Sequence, residues 1–103
     1  MNSVTQMLAE VAEINLRLER VIEIADKTCI EHIDLIAGML NRAENLLLNV
    51  EQVLSLAGAP VELVLKIRQT ILDLLDAQIQ ASDHRAMLVA TAAIEQARRN
   101  TLH

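Results

Sequence analysis

Residues 29–57, CIEHIDLIAGMLNRAENLLLNVEQVLSLA, decide the fold. Every third or fourth position is apolar: Cys29, Ile33, Ile36, Leu40, Ala43, Leu47, Val50, Leu54 and Ala57. Alternating steps of four and three keep these side chains on one stripe of a helix. Leu35, Met39, Leu46 and Val53 add a flank, so the apolar arc approaches half the circumference. A helix covered to that extent needs two neighbours. Its length, roughly 43 Å at about 1.5 Å per residue, requires those neighbours to be long as well. Gly38 in its interior costs about 1 kcal/mol relative to alanine and is expected to mark a close approach on the outer side.

The flanking segments supply the neighbours. Upstream, Val4, Met7, Val11, Ile14, Leu18, Val21 and Ala25 form a second stripe, widened by Leu8 and Ile22. Ser3 can accept from the free amides of the first turn, so a helix is predicted from Ser3 to about Ala25. Asp26 to Cys29 form a turn in this reading, with Thr28 and Glu31 matching a capping box that opens the second helix. Downstream, Gly58 suits the left-handed position after a helix and Pro60 the first turn of the next. The third helix then carries Val61, Val64, Leu65, Ile67, Ile71, Leu72, Leu74, Leu75 and Ile79. The same face is expected to continue through Ser82 into Ala86, Val89, Ala93 and Ala97 without a phase shift, which predicts one helix to about Asn100. The expected architecture is all-α, an antiparallel bundle of three long helices in a single domain, 1–103. A turn near Ser82 would make it four.

Composition narrows the function. At 103 residues the chain forms one core. Its apolar content of 52% is too high for disorder, and its apolar runs are too short for a membrane span. Cys29 has no second cysteine to bond, and no secretory leader is visible, which together point to a soluble, cytoplasmic setting. No Phe, Trp or Tyr is present to stack on bases or sugars. Nine basic against fourteen acidic residues give a net charge of −5, so nucleic acid is not an expected partner. The imbalance is uneven: residues 1–83 hold six basic and thirteen acidic side chains, residues 84–103 three and one.

No arrangement carries an enzymatic signature. The carboxylates at Glu10, Glu13, Glu23, Asp73, Asp76 and Asp83 fall on outer faces and do not pair in a cleft as acid and base chemistry requires. The two glycines form no phosphate loop, and Cys29 reads as a small buried hydrophobe. His84 and His103 lack a ligand-spaced partner, and no Glu-x-x-His pair is present, so neither metal nor cofactor is expected. His32 points into the apolar arc of helix 2. A histidine phosphotransfer domain using it is the alternative to a binding function.

The expected function is therefore a non-enzymatic helical interaction module, a chaperone, adaptor or assembly subunit that offers an apolar helical surface to a helical protein partner. Candidate partner-binding residues are Leu16 and Ile24, which leave the stripe of helix 1, and Arg68, which shares its direction with Val61, Val64, Leu65, Leu72 and Leu75 and can reach Glu44 or Glu51. Arg85, Met87, Val89, Ala90, Ala93, Ile94 and Ala97 belong to the part of helix 3 that outruns the bundle. A two-fold homodimer would cover that part, either against its own copy or against Leu16 and Ile24. In size, acidity and helical character the chain resembles the export chaperones of bacterial type III secretion and flagellar systems, which implies a chaperone-like role. Leu56-Ala57-Gly58 stands where hundred-residue helical hairpins carry Trp-x-Gly, but the tryptophan is absent.

Overall fold

A computed structural model describes residues 3–101. The chain is a bundle of three helices, α1 (Val4–Ile24), α2 (Ile30–Leu56) and α3 (Val61–Thr101), with no strand among the described residues. It is elongated, 67 × 22 × 21 Å, with a radius of gyration of 18.3 Å, where a compact chain of this size has about 13 Å. α3 accounts for the difference, since its 41 residues span about 61 Å at 1.5 Å each.

Each helix end has a local cause. The Ser3 hydroxyl accepts from the Gln6 amide at 3.1 Å while the Gln6 side chain accepts from the Ser3 amide at 3.2 Å, a capping box that opens α1. Gly58 takes φ +72°, and the amides of Ala59 and Gly58 donate to the carbonyls of Leu54 and Ser55. That pairing closes α2 with a left-handed glycine and reverses the chain. The Pro60 carbonyl then accepts from Leu63 and Val64 to start α3. At the first turn the expected capping box between Thr28 and Glu31 does not form. The Thr28 amide and hydroxyl both donate to Asp26 Oδ1, at 2.9 and 2.7 Å, so the threonine is used inside the turn. Cys29 takes the N-cap position without a side-chain cap and places Sγ 3.4 Å from Glu31 Oε2; it is half-buried, not a core residue.

The stripe of α2 is the core. Of the expected positions, Ile33, Leu40, Ala43, Leu47 and Val50 are buried, Val50 completely, whereas Ile36 and Leu54 are half-buried and Ala57, past the helix end, is exposed; each large side chain fully buried contributes about 1.5–3 kcal/mol. α2 packs against both α1 and α3, whereas no Cα of α1 lies within 8 Å of one of α3 among the described residues. Side chains of all three helices share one core cluster, in which Met7 joins Leu47, Val50, Ile67 and Ile71, with Val4, Val11 and Leu74 packed against it. The two outer helices are thus splayed over the central one.

α3 departs from expectation in which face it buries. It is continuous through Ser82, so the four-helix alternative with a turn there does not form. Its inner line is Val64, Ile67, Ile71, half-buried Leu74, Gln78 and Ala81, then Leu88. Val61, Leu65, Leu72 and Ile79, expected on the hidden face, are 71, 52, 57 and 60% exposed. Ser82, Ala86, Val89, Ala93 and Ala97 continue that outer line and are exposed too. The reason is arithmetic: ten large apolar residues within the nineteen from Val61 to Ile79 cover more of a helix than one neighbour can hide, and α2 contacts only one flank. Gly38 also differs, because a Cβ built there would meet no atom within 4 Å, so no close approach explains it.

Candidate protein interaction surface

The splay of α1 and α3 opens a mostly apolar groove of about 210 Å³, lined by Leu8, Val11, Ala12, Ile14, Asn15 and Leu18 of α1, Thr70 and Leu74 of α3, and Ala43 of α2. Ala43 is the small member of the α2 stripe, which lets the floor sit low between the longer side chains at 40 and 47. In a bundle of four helices this is where a further helix lies. Leu8, at 40% exposure, forms one lip.

Polar ties hold α3 to α2 in one register. Arg68 Nε donates to Glu51 Oε1 at 2.5 Å, Gln78 Nε2 to Glu44 Oε1 at 2.9 Å, and Arg85 Nε to Asp34 Oδ1 at 2.7 Å. Both candidate arginines are therefore paired within the chain, and Glu51 rather than Glu44 is the partner of Arg68. Arg42 forms the equivalent tie to Glu10 across α1 and α2. The ion pairs among these are solvent-accessible, so each contributes at most about 1 kcal/mol and serves mainly to set register.

The turn between α1 and α2 is bonded by two histidines, His32 and His84. His32 is exposed, not directed into the apolar arc, and its Nδ1 accepts the Asp26 amide at 2.9 Å. In the neutral ring this bond leaves the proton on Nε2. The Thr28 hydroxyl and amide, with His32 nearby, hold the Asp26 carboxyl below its ordinary value. His84 Nε2 donates to the Lys27 carbonyl at 2.6 Å, tying α3 to the same turn. His103 lies outside the described residues. Among the described residues, no group of three or more His, Cys, Asp or Glu could hold a metal ion, and no helix is long and apolar enough to cross a membrane.

The other candidates fall into separate places. Leu16 (63% exposed) and Ile24 (81%) lie on outward faces of α1, Ile24 beside His32 and Leu35 in a small cleft. Met87 is exposed one position before Leu88, the last half-buried residue of α3. Beyond it Val89, Ala90, Ala93, Ile94 and Ala97 stand on a helix with exposed residues on every side. One chain does not bring these residues into a single site. Two features escaped the sequence reading, the groove and the separate outer line of α3 through Leu65, Leu72, Leu75 and Ile79. A signal for the latter was present, since Val61, Leu65, Arg68, Leu72, Leu75 and Ile79 repeat in strict four-three steps of their own, distinct from Val64, Ile67, Ile71 and Leu74. Compared with protein-family models, curated proteins and solved structures, the chain matches none.

Proposed function

We propose that this protein is a non-enzymatic interaction module, a chaperone, adaptor or assembly subunit that works as a homodimer and takes an apolar helix of a partner protein into the groove between α1 and α3. The observation that carries this reading is the groove itself, a mostly apolar trough between α1 and α3 over Ala43. Further support comes from the balance of the surface. Among the described residues, eleven hydrophobic side chains are buried while seventeen large ones stand exposed, more than a self-sufficient bundle leaves in water. Amphipathic helices bind such troughs through residues spaced i, i+3, i+4 and i+7.

The test is a photo-cross-linking residue at Ala12, inside the groove, and another at Asn45, on the outer face of α2. A partner protein labelled from position 12, not from 45, and lost in Leu74→Glu supports the reading. Equal labelling from both positions, or none from either together with a monomeric product, counts against it.

A second reading, phosphotransfer through His32, is favoured by one observation, the exposure of that ring. Because Nδ1 accepts the Asp26 amide, Nε2 carries the ring proton, so phosphorylation at Nε2 requires the ring to give up that bond and hold its proton on Nδ1 instead. Incubation with a phosphodonor and kinase should then label wild type and not His32→Gln; an unlabelled wild type removes the idea.

A further inference from the structure

The exposed flank of α3 has a structure of its own. Leu65, Leu72, Leu75, Ile79, Ala86 and Val89 follow one four-three repeat from the first turns of α3 to beyond the bundle. Of these, Leu65, Leu72 and Ile79 are more than half exposed, and Val89 is 44% exposed at the start of a segment whose described residues, 89–101, are all exposed. Such a repeat is the seam of a two-stranded coiled coil, and here the second strand is missing.

We propose that the missing strand is α3 of a second copy, running antiparallel. Three features of the helix select this occupant and direction. The first is length: the seam runs along both the bundled and the overhanging parts of α3, so only a comparably long helix covers all of it. The second is size. The larger side chains occupy the first half of the seam, at 65, 72, 75 and 79, and mostly small ones the second half, at 82, 86 and 93, with Val89 among them. Antiparallel pairing about a point between residues 80 and 81 sets Ile79 against Ser82 of the partner subunit, Leu75 against Ala86 of the partner subunit and Leu72 against Val89 of the partner subunit. Arg68, drawn aside to Glu51, then meets Ala93 of the partner subunit. Large against small lets the layers interdigitate, whereas parallel pairing would set leucine on leucine in one half and leave alanine facing alanine in the other.

The third feature is charge. Residues 61–83 of α3 hold Lys66 and Arg68 against Glu62, Asp73, Asp76 and Asp83, a net of −2. Residues 84–101 hold Arg85, Arg98 and Arg99 against Glu95, a net of +2. Antiparallel pairing lays each positive segment on the partner's negative one, and a two-fold axis makes this happen twice. The same register brings Asp76 opposite Asp83 of the partner subunit on the solvent rim, an unfavourable pair that makes the register testable.

This inference rests on the homodimer proposed above and not on the groove. In a Cys29→Ser background, full-length Leu75→Cys and Ala86→Cys are made singly, with Asn45→Cys as an exposed control. Mixing Leu75→Cys with Ala86→Cys should give a disulfide-linked dimer within minutes of mild oxidation, while either variant alone gives no more than the control. Self-linkage of Leu75→Cys as efficient as the mixture would overturn the antiparallel arrangement, and a mixture no better than the control would overturn the seam. Because cysteine substitution can disturb packing, Asp83→Lys supplies a second reading by sedimentation. Association should tighten a few-fold as the introduced ammonium meets Asp76 of the partner subunit, and unchanged or weaker association overturns the register. Sedimentation of wild type at the 11.4 kDa chain mass, even at high micromolar concentration, removes both the pair and this account of it. A dimer that cross-links in another pattern removes this account alone.

Discussion

The α2 stripe and the outer line of α3 are written in the same spacing and meet opposite fates. Ile33, Leu40, Ala43, Leu47 and Val50 are at most 6% exposed, while Leu65, Leu72 and Ile79 are at least 52% exposed. Nothing in the four-three pattern separates them. What differs is position in the bundle: α2 lies between two neighbours and α3 has one. Apolar periodicity marks which surface seeks cover, and the count of neighbouring helices decides whether one chain provides it.

The largest expected effect tests that contrast directly. Leu47→Ala removes a side chain 3% exposed and should cost about 2–5 kcal/mol in urea titrations at any protein concentration. Leu72→Ala should cost little in dilute protein and more as concentration rises and chains pair. Asn45→Ala, on the exposed side of the same helix as Leu47, should stay within about 0.5 kcal/mol. Equal losses at 47 and 45 would mean the stripe is misassigned, and a concentration-independent loss at Leu72 would mean that α3 is covered within one chain.

Removing residues 89–103 sharpens the same comparison, because it deletes the overhang and leaves every tie between α2 and α3 in place. Helix content should fall by the deleted turns only, while dimer dissociation should become at least about tenfold easier, or 1.4 kcal/mol. An unchanged dissociation constant would place the contact elsewhere.

Gly38→Ala should stabilise the protein by about 0.5–1 kcal/mol, since the site is an open helix interior where alanine meets no obstacle. A loss of stability instead would point to a contact that depends on the bare backbone. Arg68→Met should move stability by less than about 1 kcal/mol, because the Glu51 pair is accessible to solvent and most of the stem is retained. A loss of several kcal/mol would show the pair to be a buried one.

The smallest effect concerns acid. The bonds from Thr28 hold Asp26 below its ordinary pKa, so the turn's stabilisation is fully present above the unfolded carboxylate pKa and is lost as pH falls through the lower folded one. An NMR titration should find the Asp26 midpoint below the ordinary aspartate value, and Thr28→Val should raise it. An ordinary midpoint in wild type would mean that the turn is not held by these bonds.

Much of this fold is legible in the residues. Ser3, Gly58 and Pro60 mark helix ends through local chemistry, and the α2 stripe names its own buried positions because a helix with apolar cover on nearly half its surface has to be central. Spacing favours the continuity of α3 through Ser82 but leaves a turn there as an alternative, which the structure closes. Thr28 misled because two roles compete for the same short side chain, and Asp26, closer in the turn, took it from the cap. His32 misled because its ring lies at the edge of the arc, where the Asp26 amide draws it outward.

The inner and outer faces of α3 were not legible in the same way. Which apolar line lies inside depends on where α2 sits, and nonlocal ties from Glu51, Glu44 and Asp34 to Arg68, Gln78 and Arg85 fix that register. The groove between α1 and α3 exists because two helices packed on a third need not meet each other, a relation that no single helix encodes. The residues alone set the three helices, most of their ends and the central place of α2, since those follow from interactions within a few positions of the chain. Assembly in three dimensions settles which surplus apolar faces stay in water, because burial belongs to the pairing of helices and not to any one of them.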